Sequence, residues 1–129
     1  MTDRPPVFVV GVVDDDQSIL WSLECLLESA DYAVRLFTSA TALLESNSLP
    51  RIDCLISDID MPGMDGFDLL RQVHAVRPGL PTILITGYPD AVKGLPPPDG
   101  SHPRIFTKPF QGDELLAAVS DAQRNSLRK

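Results

Sequence analysis

Cysteine is scarce in this chain: Cys25 and Cys54 are the only two in 129 residues. Two thiols make no disulfide framework, so the fold must rest on apolar packing, and they suit a reducing compartment, where both are expected to be inert. Aromatic residues are few as well, at 6%, so that packing must be largely aliphatic. The longest apolar run, Val7 to Val13, has seven residues and includes Gly11, far short of the roughly 20 that a membrane-crossing helix needs. No small-residue cleavage site follows an apolar run, so no secretory signal is expected. Positive charge is the next shortage, with 11 Lys and Arg against 18 Asp and Glu and a net charge of −7. Such a surface repels a phosphate backbone, so direct nucleic-acid binding is not expected. Gly-x-Gly-x-x-Gly and Gly-x-x-x-x-Gly-Lys are both missing, which removes the phosphate loops of the common nucleotide-binding folds. What remains is 43% hydrophobic and 22% charged, the composition of one cytoplasmic globular domain.

Two kinds of apolar segment alternate along the chain. Val7-Phe8-Val9-Val10-Gly11-Val12-Val13 is continuous and β-branched, as expected of a parallel strand buried on both faces. Four shorter runs of that kind follow at Ala33 to Phe37, Ile52 to Ile56, Thr82 to Ile85 and Arg104 to Thr107. Between them the apolar spacing is helical. Ile19, Leu20, Leu23, Leu26, Leu27 and Ala30 form one stripe, Ser39 can cap a short helix with Leu43 and Leu44, and Asp65 can cap a longer one with Leu70, Val73 and Val76. Asp113 to Gln123 forms the last, with Leu115, Leu116 and Val119 on one side. Strands alternating with helices predict an α/β domain with a parallel sheet. Its core is expected over about 7–121, with 122–129 as a tail. The fourth crossover is the exception: eight of the twelve prolines lie between Pro78 and Pro109, three of them at Pro96-Pro97-Pro98. Proline removes a helical hydrogen bond, so a helix there is expected to be shortened to Pro89–Leu95 or missing.

In an open parallel sheet, ligands bind beyond the carboxyl ends of the strands. Those ends carry Asp14-Asp15-Asp16 after the first strand, Asp58 after the third, Thr86 after the fourth and Lys108 after the fifth. Clustered carboxylates raise one another's pKa unless a cation sits among them, and all-oxygen ligands suit Mg²⁺. A carboxylate beside Mg²⁺ and a lysine can accept a phosphoryl group, because both cations neutralise the transferred oxygens.

The strings Val12-Val13-Asp14-Asp15-Asp16, Ser57-Asp58-Ile59-Asp60-Met61-Pro62-Gly63-Met64-Asp65-Gly66, Thr86-Gly87 and Lys108-Pro109-Phe110 together resemble the receiver domain of two-component response regulators, in register from about Val7 to Asp121. The resemblance implies a doubly wound, flavodoxin-like sheet of order 2-1-3-4-5. It implies Asp58 as the acceptor of a phosphoryl group from a histidine of a sensor kinase or phosphotransfer protein. Asp15 and Asp58 would bind Mg²⁺ through their carboxylates, Asp60 through its backbone carbonyl and Asp14 through a metal-bound water. Lys108 would pair with the phosphoryl oxygens, Thr86 would move toward them, and the Lys108-Pro109 bond would be cis. Such a domain is not an enzyme on external substrates; it promotes its own phosphorylation and slow dephosphorylation. Trp21 points away from the apolar stripe at 100° per residue, and with Leu20 beside it would extend a docking patch for the kinase.

Plainer accounts exist for each residue. Asp16 is expected to cap a helix only, whereas capping alone does not explain the other strand ends. His74 and His102 are isolated and read as surface residues. A haloacid-dehalogenase-like phosphatase also uses Asp-x-Asp with Mg²⁺ and lysine, but places its nucleophile on the first strand and its acidic pair downstream. A pseudo-receiver that keeps the fold without phosphorylation would not need all of Asp14, Asp15, Asp58, Thr86 and Lys108. One departure from receivers is Ile105, which stands where an aromatic residue usually lies, with Phe106 next to it.

Overall fold

The computed structural model describes residues 7–87, 104–108 and 110–127. Five strands, β1 (Val9–Val13), β2 (Ala33–Phe37), β3 (Cys54–Asp58), β4 (Thr82–Thr86) and β5 (Arg104–Thr107), alternate with helices α1 (Gln17–Ser29), α2 (Ala40–Glu45), α3 (Gly66–Val76) and α4 (Gly112–Leu127). All pairings are parallel and the order is β2-β1-β3-β4-β5. The strand periodicity splits the aliphatic residues into two layers. Val10, Val12, Ile56 and Ile85 meet Leu20, Leu23 and Leu27 of α1 and Leu115 and Val119 of α4. On the opposite face Val13 and Leu55 meet Leu43 of α2 and Leu69 and Val73 of α3. Gly11 lies inside β1 because a Cβ there would stand 2.8 Å from Ile52 Cδ1; the missing side chain lets Ile52 pack on the strand. Among the described residues no helix is long and apolar enough to cross a membrane.

Each of the first three helices starts on a side-chain cap: Asp16 accepts from Ser18 N, Ser39 from Ala42 N and Asp65 from Asp68 N. Such caps contribute about 1 kcal/mol each. Here they also fix where the chain leaves each strand, which aims the loops that carry the carboxylates.

Several expectations change. β1 and β3 begin two residues later than Val7 and Ile52. Asp53 explains both, since its carboxylate takes the Val9 amide at 2.8 Å and its own amide donates to Val9 O, so the ladder starts there. Ile52 is held by the 3₁₀ turn Leu49–Arg51. β5 is not buried on both faces but is an exposed edge strand, with Ile105 43% exposed; the half-buried Phe106 ring carries the Arg104 guanidinium 5.8 Å from its centre. Residues 122–127 are helix rather than tail, and Ala122 is buried in the core. Val76 closes α3 exposed to solvent. His74 is half-buried, its Nε2 3.2 Å from Leu80 O and 3.4 Å from Thr82 Oγ1. The proline-rich crossover, His102 and Pro109 lie outside the described residues.

Candidate functional site

Register brings the predicted residues together. Val13 pairs with Ser57, Asp58 with Ile85 and Thr86 with Thr107, so the residues ending β1, β3, β4 and β5 sit side by side on one rim. Asp14 N donates to Phe37 O at 3.1 Å and Lys108 N to Thr86 O at 2.8 Å, which extends the ladders one step into the site. Asp14 and Asp58 are 1% and 3% exposed. Lys108 Nζ stands 3.5 Å from both Asp14 Oδ2 and Asp58 Oδ1. With the exposed Asp15 they form a group whose carboxylate oxygens lie within 4.8 Å of one another.

This group is electrostatically incomplete. Burial pushes the Asp14 carboxyl up to about 6, and the Asp58 charge adds to that against the Asp16 amide and Lys108. Burial raises Asp58 as well, opposed mainly by Lys108. Burial pulls the Lys108 ammonium down, but the two carboxylates outweigh it and the net shift is upward. One ammonium facing three carboxylates leaves excess negative charge, and a set of hard oxygen donors fits a hard divalent cation such as Mg²⁺.

Asp60 lies outside that group. Its amide donates to Asp58 Oδ1 at 3.3 Å, while its carboxylate accepts from Thr86 Oγ1 at 2.8 Å and from Gly87 N at 3.2 Å. The family motif implies only a carbonyl role for Asp60, and nothing in the spacing marks its side chain or Gly66. A Cβ there would meet Asp58 O and Ile59 Cα at 2.8 Å, and its amide donates to Ile59 O at 3.0 Å. The first residue of α3 therefore braces the backbone of Asp58, and only glycine can approach so closely. On α1, Trp21 is 69% exposed and borders a cavity of about 270 Å³ with Gln17, Ser18, Glu24 and Leu36. Leu20 does not extend that patch. It is 1% exposed in the core, one residue and 100° round the helix from Trp21.

A doubly wound parallel sheet carries three carboxylates and an ammonium at its carboxyl rim, where open α/β domains bind their ligands. The chain belongs to the response regulator receiver domain family, whose model matches residues 10–120. It is 34% identical over 117 residues to the transcriptional regulatory protein FixJ of Bradyrhizobium diazoefficiens, covering 91% of this chain and 57% of that one. It is 39% identical over 126 residues to the C4-dicarboxylate transport transcriptional regulatory protein DctD of Rhizobium meliloti, covering 95% and 26%. Among solved structures, a response regulator receiver domain protein from Clostridium thermocellum superposes with a TM-score of 0.85 at 27% identity, covering 95% of this chain and all of that one. The chain thus spans about half of one curated relative and about a quarter of the other. Its family sets aside the dehalogenase-like phosphatase, whose nucleophile would end β1 rather than β3.

Proposed function

We propose that this chain is a phosphorylation-operated switch of a two-component or phosphorelay system, working in the cytoplasm, with Asp58 as its acceptor. The observation that carries the reading is the buried Asp58 carboxylate beside both Lys108 and the Asp14–Asp15 pair. An Asp58 oxygen attacks the phosphorus of a phosphohistidine on a kinase or phosphotransfer protein. The P–N bond breaks as the P–O bond forms, and the imidazole keeps the electron pair and takes a proton from water. Lys108 faces the oxygens that gain charge, and Asp14 holds Lys108 in place through their ion pair. Asp15, Asp58 and the Asp60 carbonyl would hold Mg²⁺, with Asp14 acting through a bound water; the ion supplies further neutralisation of the transferred oxygens. Attack by water on the phosphorylated Asp58 returns the switch slowly, which makes the domain self-modifying rather than an enzyme on other substrates. The gain of charge on this rim changes which protein partners bind, and Trp21 on α1 serves the incoming donor.

Mass spectrometry after incubation with acetyl phosphate and Mg²⁺ tests this. One label is expected on Asp58, absent in Asp58→Asn and after chelation of the metal. A label that forms at the usual rate in Asp58→Asn refutes the assignment, and a wild-type protein that never labels points to a binding module instead. Lys108→Ala should retain Mg²⁺ binding, followed by isothermal calorimetry, while losing most of its structural response to phosphorylation.

A further inference from the structure

The Asp60 carboxylate reaches the end of β4. Through its backbone the residue touches Asp58; through its side chain it receives Thr86 Oγ1 and Gly87 N. Thr86 is fully buried while Asp60 and Gly87 are exposed. A threonine hydroxyl has a single proton to donate. While that proton is given to Asp60, no oxygen carried by Asp58 can receive it. The bond is charge-assisted, about twice as strong as a neutral one, and the Gly87 amide reinforces it on the same oxygen.

We propose that Asp60 is a positioning residue that latches Thr86 and Gly87 in the unphosphorylated arrangement, so that a phosphoryl group on Asp58 must displace its carboxylate to gain the Thr86 proton. The proposal rests on the reading of Asp58 as the acceptor. Its consequence is a switch biased toward the resting state. Any ligand of the switched state then binds more weakly by the factor that the latch adds to the resting population. Asp60 has a second effect, since its negative charge lies near the acceptor whatever Thr86 does. The two effects separate in a double-mutant cycle, because only the latch depends on the Thr86 hydroxyl.

The experiment follows backbone amide signals of the full chain by NMR, with Mg²⁺ and beryllofluoride as the phosphoryl mimic. In the unliganded protein, Asp60→Ala should move the Gly87 amide resonance and speed its exchange with solvent. An unchanged Gly87 signal overturns the latch, whatever happens at Asp58. With the mimic, Asp60→Ala should reach half-saturation at about tenfold lower beryllofluoride, the weight of one charge-assisted hydrogen bond. Asp60→Asn, which keeps an acceptor oxygen, should fall between. In a Thr86→Val background the gain from Asp60→Ala should shrink to within about twofold; an undiminished gain overturns the latch in favour of simple charge repulsion. A wild-type chain whose Asp58 and Lys108 signals ignore the mimic refutes the acceptor assignment, and the brake with it, even where Gly87 responds to Asp60→Ala.

Discussion

The two rims of the sheet treat polar groups in opposite ways. At the amino ends of the strands, polar groups among the described residues are matched by partners that need nothing further. Asp53 closes on Val9, His74 on Leu80 O and Thr82 Oγ1, and Arg104 pairs with Asp121 at 3.4 Å. Arg77 donates to the carbonyls of Leu49 and Ile52, which pins the 3₁₀ turn to the end of α3. At the carboxyl ends Asp14 and Asp58 are more deeply buried than any of these polar side chains, yet they share one lysine. Satisfied polar groups on the first rim hold the fold. Under-compensated ones on the second destabilise it and leave a place for ligand charge, the usual relation between a strained site and its scaffold.

The largest stability effect should come from the amino rim. Arg77→Ala removes the charged donor from Ile52 O and from Leu49 O, of which Leu49 O keeps the Ile52 amide, and should lower unfolding free energy by about 2 kcal/mol, read by urea denaturation, while Asp58 still labels with acetyl phosphate. Loss of the label in a folded Arg77→Ala protein would mean that the rims are coupled after all.

On the carboxyl rim the sign reverses. The Asp14 carboxyl titrates at about 6 in the folded state against 3.8 for an ordinary aspartate, so the folded chain holds this proton more tightly than the unfolded one. That contribution is fully present below about pH 4 and is lost as pH rises through 6. In EDTA, Asp14→Asn should therefore be more stable than wild type at pH 7, by about 1 kcal/mol after solvent relaxation, and the advantage should disappear below pH 4. Mg²⁺ should stabilise wild type at pH 7. A metal-free wild type that gains stability between pH 4 and 6 relative to Asp14→Asn contradicts the contrast.

The smallest stability effect belongs to a residue on neither rim's network. Trp21→Ala should change stability by less than about 0.5 kcal/mol, as for other exposed side chains. Transfer from the cognate phosphohistidine donor should slow, with acetyl phosphate labelling unaffected; stopped-flow and mass spectrometry separate the two. Equal losses with both donors would make Trp21 structural.

Much of this was legible because its signals are local. β2 and β5 fall on the runs Ala33 to Phe37 and Arg104 to Thr107, and Asp16, Ser39 and Asp65 cap the helices they precede. The boundaries that moved did so through contacts between distant residues. Asp53 reaches back 44 residues to Val9, and no window around either one contains that bond. α4 runs past Gln123 to Leu127 as one helix that Leu115, Val119 and Ala122 anchor on the core, since tertiary packing supplies most helical stability.

By itself the sequence determined the α/β alternation and which residues stand at the strand ends, because periodicity and chain order do not depend on what packs where. It also determined that Trp21 faces outward, since the helical stripe sets the phase. Only the tertiary structure decided that β5 is an exposed edge, that Gly66 braces Asp58, and that the Asp60 side chain serves Thr86. Each of these turns on which neighbour occupies a few ångströms of space, and that is set by how the elements fold against one another, not by any residue's own preference.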